Sequence, residues 1–94
     1  MYKPNYPYLK ITSKERKLIT ISEAYLMYYN KIGYLPIIDV LDMESKENYF
    51  ILISAKSLAN QLEDLRNENN GRLNGLEFSI KKENDSSEAL YVLE

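Results

Sequence analysis

Asp39 with Asp42, and Glu44 with Glu47, are the pairs in this sequence that come nearest to acid–base or metal chemistry. Two carboxylates do such work only when they reach one space together. Asp39 and Asp42 stand three apart in YLPIIDVLDM, which reads as a strand, so they project to opposite faces. Glu44 and Glu47 fall in the polar run 44–48, with no glycine-rich phosphate cradle beside them, and read as a solvated hairpin loop. The chain has no histidine and no cysteine. That removes the usual general base, the thiol nucleophile and the thiolate zinc site. Scattered carboxylates alone do not make a metal site. The expectation is a protein that is not an enzyme and takes no cofactor and no metal.

Binding chemistry has better candidates. Nine tyrosines stand against two phenylalanines and no tryptophan, an inventory of rings with polar tips that suits both cores and interfaces. An exposed ring can stack a nucleobase, contributing about 1–3 kcal/mol per base. Tyr28, Tyr29 and Tyr34 are the stacking candidates; the first two are adjacent on a strand, so one of them faces outward. Lys31, Arg72, Lys81 and Lys82 are the candidates for phosphate contacts. Phe78 alternates with charged neighbours and reads as core.

Charge is unevenly placed. Residues 1–33 hold six basic and two acidic residues, +4, and residues 34–94 hold six basic and twelve acidic, −6, which sum to −2. A pI near 5.2 is a poor footprint for unaided nucleic-acid binding, so contact with single strands is expected to be weak and salt-sensitive. A protein partner fits the charge better. Lys14, Arg16 and Lys17 are candidates to steer its approach, and Ile37, in an apolar stretch with Ile38, Val40 and Leu41, to dock it.

These side chains need elements to hold them. Ninety-four residues make one domain. The 45% apolar fraction is enough for a core, and no apolar run approaches the roughly 20 residues that span a bilayer. No export signal is visible, so a cytoplasmic location away from membranes is expected. Pro4 and Pro7 make residues 1–15 an extended basic arm ahead of a single domain over 16–94. Residues 16–29 alternate as a long strand that breaks near Ser22–Ala24, with a helix from Ser22 to Asn30 as the competing reading. Residues 34–43 and 49–54 read as strands. Ala55, Leu58, Ala59, Leu62 and Leu65 form one stripe of a helix, with Ser54 as its N-cap and 67–71 as its stop. Residues 76–81 and 89–93 supply two further strands.

Five strands with a helix between the third and fourth give a mainly β chain in the order β-β-β-α-β-β, the element order of an OB-like barrel. A winged helix, or an open sheet with one helix on its face, is the alternative if 22–30 is helical.

The run Ser57-Leu-Ala-x-x-Leu-x-x-Leu65, then Gly71-x-Leu73-x-Gly75-x-x-Phe78-x-Ile80-Lys-Lys82 and Ala89-x-Tyr91, resembles small replication-associated proteins of phages and mobile elements. That resemblance covers some forty residues and implies an OB-like fold and single-stranded-DNA binding. Such proteins carry a basic, glycine-containing loop where this chain has Glu83-Asn-Asp-Ser-Ser-Glu88. Within the group, size, composition and the acidic C-terminal half are similar to a small protein of staphylococcal cassette elements that binds an A-family polymerase and enables priming. The resemblance therefore implies a non-enzymatic replication accessory protein with a polymerase, primase or helicase partner. The alternative is an interaction or inhibitor module with no role on DNA.

Overall fold

The computed structural model describes residues 4–31, 33–86 and 89–94. The elements run β1 (Arg16–Thr20), β2 (Leu26–Asn30), β3 (Gly33–Asp42), β4 (Asn48–Leu52), α1 (Lys56–Glu68), β5 (Glu77–Lys82) and β6 (Tyr91–Leu93). All strand pairs are antiparallel, and the chain is mainly β with one helix.

The long first strand is real but divided. Thr20 pairs with Val40 and Leu26 with Ile37, so residues 21–25 lie opposite only Ile38 and Asp39. The surplus residues make a wide bulge, which bends a strand and sharpens its twist. Both halves keep the same edge of β3, because β4 occupies the other edge at Ile37 and Val40. The small and polar residues at Ser22–Ala24 mark the place where alternation fails. No helix forms over 22–30.

Closure into a barrel is where structure and expectation part. β4 and β6 do not pair among the described residues, so six strands form an open sheet in place of a closed five-stranded one. Residues 7–12 bridge two strands that do not pair with each other, β4 and β5. The Phe50 amide donates to Pro7 O at 3.0 Å, the Leu9 amide donates to Phe50 O at 2.9 Å, and the Lys82 amide donates to Thr12 O at 2.8 Å.

This corrects the picture of a free arm over 1–15. The prolines do keep the segment out of regular ladders, yet Leu9 and Ile11 are buried in the main core. Residues 1–3 lie outside the described residues. Truncating Leu9 to alanine should lower stability by about 2 kcal/mol, roughly 10 °C in melting temperature, as read by calorimetry. An unchanged melting temperature would mean that the segment adds nothing to the fold.

The core fills one face of the sheet: Leu18 from β1, Ile38 and Val40 from β3, Ile51 from β4, Phe78 and Ile80 from β5. Leu58 and Leu62 cover it from α1, with Ala55, Ala59 and Leu65 at the margin, as the helical stripe requires. The N-cap is Ala55 without a side-chain bond, so Ser54 does not cap the helix. The stop is as expected: Gly71, at φ +77°, donates its amide to Arg66 O at 2.9 Å.

Candidate binding surface

The β2–β3 hairpin projects beyond the part of the sheet that α1 covers. Tyr29 lies directly across from Tyr34, and Met27 from Pro36. Side chains alternate along β3, so Tyr34 and Pro36 share a face with the core residues Ile38 and Val40. The core ends before it reaches them. Tyr29, Tyr34 and Met27 are 51%, 68% and 48% exposed. The two tyrosine rings sit 5.1 Å apart at 54°, a tilted pair of the kind aromatic rings prefer.

A groove of about 130 Å³ continues this face, lined by Tyr25, Pro36, Ile53, Ala59 and Glu63. The Tyr25 hydroxyl donates to Glu63 Oε2 at 3.1 Å and so ties the 21–25 bulge to α1. Burial, and then the Glu63 carboxylate, push the Tyr25 hydroxyl up to about 12. It remains a proton donor at neutral pH.

Tyr28 takes the opposite face, as adjacent strand residues must. Its ring centroid lies 5.9 Å from that of Phe50, and the Tyr8 ring lies 5.5 Å from the same phenylalanine. Half-buried in this aromatic row, Tyr28 is not a free stacking platform. Ile37 is 0% exposed and meets Leu26 and Leu52 in register. It cannot meet a partner from there. The sequence missed this because β3 is buried on both faces from Ile37 to Val40.

The cations are scattered. Lys82 lies over the Tyr91 ring at 5.4 Å and lines a cleft of about 360 Å³ with Lys10 and Lys14. Asp85 lines it too, accepting the Ser13 amide at 2.9 Å. That bond and the Ser13 hydroxyl, helped by Lys10 and Lys82, hold Asp85 below the usual carboxylate range. Lys81 shares a shallow depression with Glu15 and Glu94, and Lys17 lies among Glu15, Glu44, Glu77 and Glu94. Arg72 is exposed on the loop after α1, and Lys31 is exposed at the tip of the β2–β3 turn.

Arg16 is committed elsewhere. Its guanidinium Nη1 bonds Asp42 Oδ2 at 2.9 Å, and Asp42 is buried. Asp42 Oδ1 also accepts the amides of Glu44, at 2.9 Å, and Ser45, at 3.4 Å. Arg16 thus braces the β3–β4 turn and is not available to steer a partner. Asp39 opposes Phe50 in register and Asp42 opposes Leu18, so the two carboxylates occupy opposite faces. No group of three or more His, Cys, Asp or Glu among the described residues could hold a metal ion. No helix among them is long and apolar enough to cross a membrane.

Of the expected site residues, the structure brings together Tyr29 with Tyr34, and Lys82 with Lys14. It adds Met27, Pro36 and Lys10, which sequence reasoning passed over. Alternation around Tyr29 carried a signal for Met27, two residues away on the same strand face. Comparison with known proteins found no matching family model, no matching curated protein and no matching solved structure.

Proposed function

We propose that the chain is a non-enzymatic binding domain, an accessory protein of DNA replication from a phage or mobile element, that docks a polymerase or helicase partner. The exposed Tyr29–Tyr34 pair carries this reading. Two uncharged rings with Met27 and Pro36 beside them, left bare where the core ends, match the composition of interface centres, where tyrosine and methionine are enriched and charge is depleted.

An OB-like architecture is part of the proposal. Its support is the pairing order: a bent first strand that meets β3 along one edge and β5 along the other, then β3 with β4 and β5 with β6. Residues 7–9 line the free edge of β4, the edge that a barrel of that kind would pair with its last strand. The cleft of Lys10, Lys14 and Lys82 favours a second, weaker contact with the phosphates of single-stranded DNA. With Asp85 in the same cleft and a pI near 5.2, that contact needs the partner to become tight. A cytoplasmic site of action follows from the same reading.

The test is the double variant Tyr29→Ser/Tyr34→Ser, assayed by calorimetric titration against a replicative polymerase and a replicative helicase of the genome that carries this gene. Both positions are exposed, so melting should shift little. Affinity for the true partner should fall about thirtyfold or more, the loss of a hot spot worth about 2 kcal/mol. Unchanged affinity for every partner that binds, or no binding by the wild type to either, would sink the docking assignment.

A further inference from the structure

Sheet edges expose unpaired amides and carbonyls that invite another strand, and folds usually cover or charge them. Two edges here are covered. The outer edge of β4 is taken by Pro7 and Leu9, through the Phe50 bonds already described. The outer edge of β6 is taken by one side chain of α1. Gln61 Nε2 donates to Tyr91 O at 3.0 Å and Gln61 Oε1 accepts the Leu93 amide at 3.1 Å, so one carboxamide imitates a neighbouring strand.

β2 has no such cover. It ends the sheet, pairs only with β3, and no group among the described residues bonds its outer edge. Its five residues, Leu-Met-Tyr-Tyr-Asn, include no charge and no proline. The usual devices against edge pairing are missing from it.

We infer that the outer edge of β2 is a homodimer interface, on which β2 of a second copy pairs antiparallel about a two-fold axis at Tyr28. The strand is complementary to itself in that arrangement. Met27 comes opposite the partner's Tyr29, so Tyr34, Tyr29, the partner's Met27 and the partner's Pro36 make one continuous row across the joined sheets. Charge agrees as well. Glu23 precedes the strand and Lys31 follows it, so an antiparallel mate carries each Lys31 toward the partner's Glu23 and sets no like charges against each other. Isologous pairing of this kind closes on itself and stops at two copies. The edge lies in the plane of the sheet, whereas Tyr29 and Tyr34 project from its face, so the dimer leaves the docking surface open.

Sedimentation equilibrium over about two decades of protein concentration is the test. The wild type should reach the mass of a dimer, with the amides of β2 gaining hydrogen-exchange protection as concentration rises. Met27→Lys changes an exposed residue and should weaken the dimer about tenfold or more by placing charge on the edge. Lys31→Glu should weaken it, and Glu23→Lys/Lys31→Glu should restore it. A wild type that stays monomeric throughout overturns the inference. So does a dimer that ignores Met27→Lys and shows no concentration-dependent protection in β2.

Discussion

Asp42→Ala should destabilise the domain by about 3 kcal/mol at neutral pH, because it strips one buried carboxylate of several roles at once. The change removes the 2.9 Å bond to Arg16 and leaves the guanidinium facing a small void. It also releases the Glu44 and Ser45 amides that the other carboxylate oxygen holds at the β3–β4 turn. Arg16 is partly exposed, so water can re-solvate it, which keeps the cost below that of a wholly buried pair. Asp42→Asn keeps an acceptor for the turn amides and loses the ion pair and hydrogen bond to Arg16. It should cost less than half as much.

The pH dependence has a definite sign. Burial pushes the Asp42 carboxyl up, but the amides of Glu44 and Ser45 and the Arg16 guanidinium outweigh it, so the folded group titrates below the unfolded value of 3.8. A carboxyl with a lowered folded value contributes its full stabilisation above the unfolded value, and loses it as pH falls through the folded one. The gap between wild type and Asp42→Ala should therefore be constant from neutral pH down to about pH 5 and narrow below pH 4. Urea unfolding at several pH values measures it. A gap that is as wide at pH 2 as at pH 7 would show that the charge is irrelevant.

Such pairs mark the limit of what one sequence discloses. The strands, the helix and even the break at Ser22–Ala24 were legible, because each follows from local periodicity: Leu18 and Thr20 against Ile19 and Ile21, then Leu58 and Leu62 a turn apart. Leu9 and Ile11 carried the same period-two signal, but two residues flanking Lys10 are too short a run to outweigh the prolines before them. Arg16 and Asp42 lie 26 positions apart, and nothing local announces their meeting. Hence Arg16 resembled a free steering charge.

The candidate surface was legible by half for a related reason. Alternation says that Tyr28 and Tyr29 face opposite ways, but not which face the core takes. Phe50 and Tyr8 decide that, and both reach Tyr28 from other elements. Ile37 was misplaced on the same ground, since its burial depends on neighbours from other elements, Leu26 of β2 and Leu52 of β4, that flank it in register. The lysines failed as a single phosphate track because Lys81 and Lys82 are neighbours in sequence and point apart, one toward Glu15 and Glu94 and the other toward Lys10 and Lys14. Charge counted along a chain says little about charge summed over a surface.

Thr20→Val should cost about 3 kcal/mol, although it preserves shape and adds apolar surface in a buried place. Sequence reading treats Thr20 as an ordinary member of an alternating strand. In the structure its hydroxyl is buried and bonded twice, donating to Leu73 O and accepting the Leu76 amide at 2.9 Å. Its backbone holds the same loop, with the Thr20 amide donating to Leu76 O at 3.0 Å and the Gly75 amide donating to Thr20 O at 2.9 Å. Thr20 thus clasps residues 73–76, which lead from α1 into β5, to the end of β1, just ahead of the 21–25 bulge. Valine keeps the backbone bonds but orphans a carbonyl and an amide at buried residues, each at about 1–3 kcal/mol. Thr20→Ser retains the hydroxyl and gives up one methyl group, about 1 kcal/mol. The order of stability should be wild type, then serine, then valine, with serine above valine where hydrophobicity alone would put it last. Denaturant midpoints at constant slope will read it directly. The β2–β3 hairpin is held by its own register, so partner affinity per folded molecule should be the same in all three. If valine matches or exceeds serine, the hydroxyl is not what fastens β1 to the loop before β5.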